Sequence, residues 1–360
     1  MTRGVTCGDG IPYRLPRPAR AVDVLASAAM ERLFDPEIWR EVTGGAVAER
    51  VRRLARVTPL VPAPALGRRT GADVWLKLEN LQRTGSFKLR GAAARLAALA
   101  IEAAGGTPKR VVAASAGNHG LGIALAARSF GLAATVFVPA PTPEVKRAGI
   151  AALGAKVEIA GATYAEAEAA ARRAAEAADV VFVSPFDDDH VIAGNGGLLA
   201  REILAQLPDV QAIVVPVGGG GLAGGVGVEV VPRGIKLFGA SPEASCAMRR
   251  SLDEGRPFTT YEGGATLAEG LEGPVSERTF RMASDYCPEI ALVSEVAIRR
   301  AVTYAYRTLG TICEASAAVP LAALLEDASP VRGRRTVVVV SGGNIEPSLL
   351  DQLLTGALAT

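Results

Sequence analysis

The 360-residue sequence predicts an α/β protein built on mostly parallel sheets with helices on both faces. Three observations lead there. From Arg110 onward, short apolar runs alternate with helical runs of about 11 to 15 residues, the pattern of consecutive β-α-β units. A lysine, Lys88, stands where the strand-like run 74–79 hands over to an alanine-rich helical run, 87–104. A string of glycines, 218–225, directly follows the apolar run 212–217. In open α/β sheets ligands collect at the carboxyl ends of strands, so the second and third observations mark candidate binding loops.

In chain order, residues 1–35 hold Pro12, Pro16 and Pro18 among several arginines and read as a poorly ordered extension with one short helix over 22–34. A second methionine, Met30, leaves a later start of translation open. Asp35 before Pro36 is the signature of a capped helix start. A Thr58-Pro59-Leu60 turn leads to the strand at 74–79. Strands follow at 111–114, 135–138, 156–159 and 180–183, separated by helices at 118–130, 143–153 and 164–178. A helix over 190–207 and buried strands at 212–217, 236–240 and 336–340 complete the reading. About 20 residues remain after the last strand, so no appended regulatory domain is expected.

Composition narrows the function. Basic and acidic residues number 39 and 37, a balance that gives no reason to expect nucleic acid or an anionic membrane as partner. The cysteines at 7, 246, 287 and 313 lack ligand-like spacing and the histidines are only His119 and His190, a poor inventory for zinc. Unpaired, widely spaced cysteines suit a reducing cytoplasm. No apolar run reaches the roughly 18 residues of a membrane span, and the N-terminus lacks the order of a signal peptide.

Four strings carry chemistry. Phe87 and Leu89 flank Lys88; desolvation there lowers the pKa of an amine and makes it a nucleophile, whereas the bland alternative is a solvated surface charge. Ser115-Ala-Gly-Asn-His-Gly120 closes a strand and opens a helix, which suits an anion such as a carboxylate; a plain turn capped by Ser115 is the alternative. Gly218-Gly-Gly-Gly-Leu222 offers successive backbone amides for phosphate oxygens. The string also contains GxGxxG over 219–224, the mark of a dinucleotide site. Such a site wants an acidic residue ending the next strand, and that strand ends at Ser241. Ser341 ends the last strand, where it either caps or faces a ligand, and Glu269 and Glu314 sit in a loop and at a helix start.

In this order, Lys77-Leu-Glu-Asn-Leu-Gln82 with Gly85-Ser-Phe-Lys-Leu-Arg-Gly-Ala92, the Ser115 string, the glycine string and Val340-Ser-Gly-Gly-Asn-Ile345 resemble the fold type II pyridoxal-phosphate (PLP) enzymes, most closely the serine/threonine dehydratase and serine racemase branch. The resemblance spans about residues 57–353. It implies a tryptophan-synthase-β-like fold of two open, twisted, mostly parallel sheets, with a large domain (36–109 and 188–360) and a small one (110–187). It also implies PLP held covalently by Lys88, which acts as catalytic base, beside Phe87. The phosphate falls to Gly218, Gly219, Gly220, Gly221 and Leu222, the substrate carboxylate to Ser115, Asn118 and His119, and the ring hydroxyl oxygen to Asn118. Ser341 falls to the pyridine nitrogen, where a serine implies an uncharged ring, and Glu269 and Glu314 to its surroundings.

Three departures bear on function. Ala116 stands where racemases of the branch carry a serine that donates a proton on the second face. Ser241, with Ser245 and Ala247 after it, stands where members activated by a divalent cation carry acidic ligands, so no metal site is expected. Gly194-Asn-Gly-Gly197 replaces the usual Gly-Gln-Gly-Thr, which bears on substrate identity. The expected activity is dehydration and deamination of a small amino acid, L-threonine or L-serine, by a cytoplasmic homodimer. The alternatives are a serine racemase, a dehydratase for 3-hydroxyaspartate or a similar substrate, a nicotinamide oxidoreductase resting on GxGxxG alone, and a non-catalytic relative.

Overall fold

The computed structural model describes residues 33–103 and 109–356, together with the backbone of a short antiparallel pair, Thr6–Cys7 with Ile11–Pro12. The helix expected over 22–34 falls outside the described residues. Asp35 caps the helix Pro36–Gly44 as expected, its Oδ1 accepting from the Glu37 and Ile38 amides at 2.7 and 3.3 Å.

Two sheets organise the chain. The larger runs in the order Ile290–Val293, Lys236–Pro242, Ala212–Pro216, Arg335–Val340, Asp73–Leu78, Leu60–Pro62. Its neighbours are parallel except for the last, which joins antiparallel at the edge. Ala212–Pro216 is buried throughout and Arg335–Val340 nearly so, as their unbroken apolar runs require of strands covered on both faces. Pro62 lies on the edge strand, where a missing N–H breaks no central ladder. The edge strands Leu60–Pro62 and Ile290–Val293 were not read from the sequence.

The smaller sheet is wholly parallel, in the order Lys156–Ile159, Ala134–Val138, Arg110–Ala114, Val180–Phe182. From Arg110–Ala114 the chain steps outward twice, then returns to the opposite side for Val180–Phe182. The strand order therefore reverses between these two strands, and the loops leaving their carboxyl ends flank a crevice. Those loops carry Ser115–Asn118 and Pro185–Phe186.

The helix expected over 190–207 is interrupted. Asp189–Ile192 runs into a π turn, Ala193–Gly197, before Leu198–Gln206 resumes the α geometry. Small residues here let three helices touch: a Cβ on Gly196 would lie 2.5 Å from the Gly225 backbone, and one on Gly194 would lie 2.7 Å from the Arg90 carbonyl. Asn195 fills the widened turn and accepts from the Gly91 amide at 2.8 Å, one turn along the helix Lys88–Glu102. Of this string Asn195 and Gly197 depart from the family pattern, and Asn195 ties the π turn to the Lys88 helix.

A buried charge network holds the same helix from its other side. Arg90 donates to Glu79 (2.8 Å to each oxygen) and to Glu202 (2.8 Å), while the fully buried Lys77 reaches Glu202, Gln206 (2.7 Å) and the Thr58 carbonyl (2.8 Å). Burial works to raise the Glu79 carboxyl, yet the Arg90 guanidinium outweighs it and holds the group below its usual range. Cys287 and Cys313 are free and buried, whereas Cys246 is disulfide-bonded. That corrects the expectation of unpaired cysteines, because spacing along a sequence does not report distance in a fold. Among the described residues no helix is long and apolar enough to cross a membrane.

Candidate active site

Four helices begin around one crevice: Lys88–Glu102, Asn118–Phe130, Gly221–Val230 and Ala315–Glu326. None has a side chain capping its first amides. Elsewhere capping is mixed: Asp35, Thr163, Ser276 and Ser294 each accept such a bond, whereas the helices Ala46–Leu54, Glu144–Ala152 and Ala247–Glu254 also start without one. Uncapped helix starts concentrate partial positive charge, so this crevice favours anions.

The glycine string forms one wall. Gly220 adopts φ +90°, which L side chains rarely take, and turns the chain into its helix. A Cβ on Gly219 would lie 2.6 Å from the Phe186 ring, one on Gly221 2.6 Å from the Phe186 carbonyl, and one on Gly218 2.8 Å from Leu271. Ser241 donates to the Val217 carbonyl at 2.6 Å, so it braces this wall from the neighbouring strand.

Lys88 faces the wall. The segment before it is stitched to the end of the last strand: Phe87 N–H donates to the Ser341 carbonyl (3.0 Å), Gly343 N–H to the Gly85 carbonyl (2.9 Å), and Ser86 pairs with Gly342. Gly85 takes φ +75° to permit this. The half-buried Lys88 donates from Nζ to the Pro185 carbonyl at 2.9 Å. Burial pushes its amine down to about 8, against the opposing attraction of Glu314. The free-amine fraction at neutral pH rises by roughly two orders of magnitude as a result.

The third wall is polar. Asn118 donates from Nδ2 to both oxygens of Glu314, at 2.7 and 3.0 Å. Its Oδ1 accepts from Asn344 Nδ2 at 2.7 Å, which also donates to the Thr84 carbonyl at 2.8 Å. Burial raises the Glu314 carboxyl to about 7; the Asn118 hydrogen bond opposes this and the Glu269 charge adds to it. Ser115 Oγ accepts from the Gly117 amide at 3.2 Å, within the loop itself, and a Cβ on Gly117 would meet open space. His119 is buried, with Nε2 3.0 Å from the Val183 carbonyl and Nδ1 without a partner among the described residues. Burial, with the nearby Lys88 charge adding to it, pushes its pKa down to about 3, so the ring is neutral. Ser341 is buried at the end of its strand. Glu269 is exposed and turns to Lys146, 2.9 Å away.

The structure therefore gathers Lys88, the glycine string, Asn118, Ser341 and Glu314 around one crevice. Sequence reading missed Pro185, Phe186, Lys146 and Asn344, and took Asn195 as bearing on substrate identity, whereas it packs the π turn on the Lys88 helix. Asn344 lies inside the Ser341 string and was findable; the others carry no local signal, because they reach the site only through long-range packing.

The sequence profile described as "Pyridoxal-phosphate dependent enzyme" matches residues 51–342. The chain belongs to this family. It is 40% identical over 311 residues to an L-threonine ammonia-lyase of Thermotoga maritima, covering 86% of this chain and 76% of that one. Among solved structures it is similar to the processed threonine deaminase isoform 2 of Solanum lycopersicum, with TM-score 0.80, 32% identity and coverage of 89% and 94%. It is also similar to the serine racemase of Dictyostelium discoideum, with TM-score 0.78, 31% identity and coverage of 87% and 99%. The two-sheet α/β architecture is that of the fold type II branch of these enzymes, as the sequence predicts.

The crevice suits the family's cofactor. It presents a lysine of depressed pKa, a glycine wall that side chains would obstruct, and uncapped helix starts for a phosphate. It also holds an orphaned polar atom, the buried Ser86 Oγ, which has no hydrogen-bond partner among the described residues.

Proposed function

We propose that this protein is a PLP-dependent ammonia-lyase that converts L-threonine or L-serine to a 2-oxo acid and ammonia. The observation that carries this reading is the depressed Lys88 amine facing a glycine wall amid uncapped helix starts. Lys88 would hold the cofactor with Phe87 beside it, the amides of Gly218 to Leu222 its phosphate, Ser341 its ring nitrogen and Asn118 its ring hydroxyl oxygen. When bound, the cofactor withdraws electrons from the substrate α-carbon and makes its proton acidic. The Ser115–Asn118 loop and its helix start hold the substrate carboxylate. Lys88 Nζ, with its lowered proton affinity, would be the base that accepts the α-proton. The β-hydroxyl leaves as water, and water is regained when the nitrogen departs as ammonia, so the net change releases one ammonia per 2-oxo acid.

Two features narrow the chemistry. A racemase needs a proton donor on both faces of the planar carbanion, and Ala116 in the carboxylate loop offers a methyl group. General acid catalysis typically supplies 10²–10⁴-fold, so racemisation should lag elimination by about that factor. Glu269 and Glu346 share the single ammonium of Lys146, at 2.9 and 3.9 Å, near Glu314. This excess of carboxylates disfavours a substrate with an acidic side chain such as 3-hydroxyaspartate. The deciding experiment incubates the protein with L-threonine and L-serine, then quantifies 2-oxo acid, ammonia and, by chiral chromatography, D-serine. D-serine forming as fast as pyruvate would replace the lyase reading by the racemase one. A cytoplasmic homodimer is the accompanying assembly, by family resemblance, with sedimentation as its check.

A further inference from the structure

We propose that Glu314 is a positioning residue that acts through Asn118, and that it does so only as the carboxylate. The geometry assigns it this part. Both Glu314 oxygens face Asn118 Nδ2, at 2.7 and 3.0 Å. The opposite end of the carboxamide is held by Asn344 at 2.7 Å, itself anchored to the Thr84 carbonyl at 2.8 Å. The carboxamide thus lies between an acceptor-only group and a donor, which permits one of its two flip states. A protonated Glu314 carries a donor of its own, and one oxygen loses the charge that makes its hydrogen bond strong. The carboxamide is then free to turn, and with it whatever Asn118 touches in the crevice.

The surroundings are built to let Glu314 change charge. The Lys88 amine faces it from the head of its own helix, and Glu269 faces it from the 3₁₀ turn Glu269–Leu271. Lys146, from the helix Glu144–Ala152 of the smaller sheet, adds an attractive charge while pairing with Glu269 (2.9 Å) and Glu346 (3.9 Å). Its neighbour Cys313 is pushed by burial up to about 12 and stays a neutral thiol. Burial places the Glu314 carboxyl at about 7. Lys146 and Glu269 pull it in opposite directions.

The consequence for catalysis rests on the reading of Asn118 as a cofactor contact; the orientation itself is independent of that reading. The sequence has only four asparagines, at 80, 118, 195 and 344, so holoenzyme labelled with ¹⁵N-asparagine shows four side-chain amide pairs. Asn118→Ala identifies the relevant one. The expected result is an Asn118 resonance that titrates near pH 7 in the wild type and is flat in Glu314→Gln, which keeps an acceptor oxygen but not the charge. The exposed Glu269→Gln should move the midpoint down and Lys146→Met should move it up. Turnover should follow the same midpoints, with Glu314→Gln slower by on the order of tenfold at pH 8 and converging on the wild type below pH 6. A resonance that ignores pH, or that titrates unchanged in Glu314→Gln, overturns the proposal. So does a turnover midpoint that Lys146→Met and Glu269→Gln leave unmoved. Failure of the lyase reading is distinct: it shows in the wild type alone, as absent 2-oxo acid, and the resonance then decides the orientation.

Discussion

At the scale of single residues, the crevice turns burial into reactivity. Lys88→Ala should leave the protein without covalently held cofactor and without turnover; visible absorbance before and after borohydride reduction checks this, and a labelled peptide carrying another lysine would contradict it. Ser341→Ala should lower turnover while the cofactor stays bound, by the worth of one hydrogen bond, about 1 kcal/mol or roughly fivefold. Glu314 carries the opposite side of the same physics. Its folded pKa, about 7, lies above the ordinary value of 4.5, so ionising it costs folding free energy. From this group stability is greatest below about pH 4.5, falls as pH rises, and levels off above about pH 7. Glu314→Gln should therefore raise the melting temperature at pH 8 and change it little at pH 5. A melting temperature unchanged at pH 8 would mean that the carboxylate is solvated after all.

At the scale of elements, Lys88 is held by its helix, which is gripped on two sides. On one side Asn195 in the π turn accepts from Gly91; on the other Arg90 and Lys77 converge on Glu79 and Glu202. Removing one partner of a buried ion pair strands the rest. Glu202→Ala should cost about 3 kcal/mol, leaving Lys77 and Arg90 undercompensated, and a shift of the urea midpoint measures it. The glycine wall makes a sharper test. Gly220→Ala forces a side chain into φ +90° with its Cβ 3.1 Å from Thr279 Cβ, so it should weaken cofactor binding by tenfold or more, read by equilibrium dialysis.

For the whole molecule, the crevice lies at the carboxyl ends of strands from two sheets, so its integrity couples them. Lys146 crosses from the smaller sheet to two loops of the larger, Glu269 and Glu346. Such partly exposed pairs are worth about 0–1 kcal/mol, so Lys146→Met should affect stability little. Cofactor bound only by the folded state adds about 2.7 kcal/mol at a hundredfold excess over its dissociation constant, so apoprotein should melt several degrees lower.

Much was legible without coordinates, for local reasons. Short apolar strands alternating with helices, glycines after a strand and a lysine at a strand-to-helix junction are patterns of neighbouring residues, and backbone sterics alone give them meaning. They determined the α/β class, the parallel strands and the placing of Lys88, Asn118, the glycine string and Ser341 on loops at strand ends. Tertiary structure alone decided the partners of those residues. Glu202 meets Arg90 across 112 positions, Glu314 meets Asn118 across 196, and Asn195 meets Gly91 across 104. Each contact exists only because two sheets and their helices pack together, and burial in that packing moves Lys88, His119 and Glu314 from their ordinary pKa values. A sequence names the titratable groups; the free energy of taking them out of water belongs to the fold.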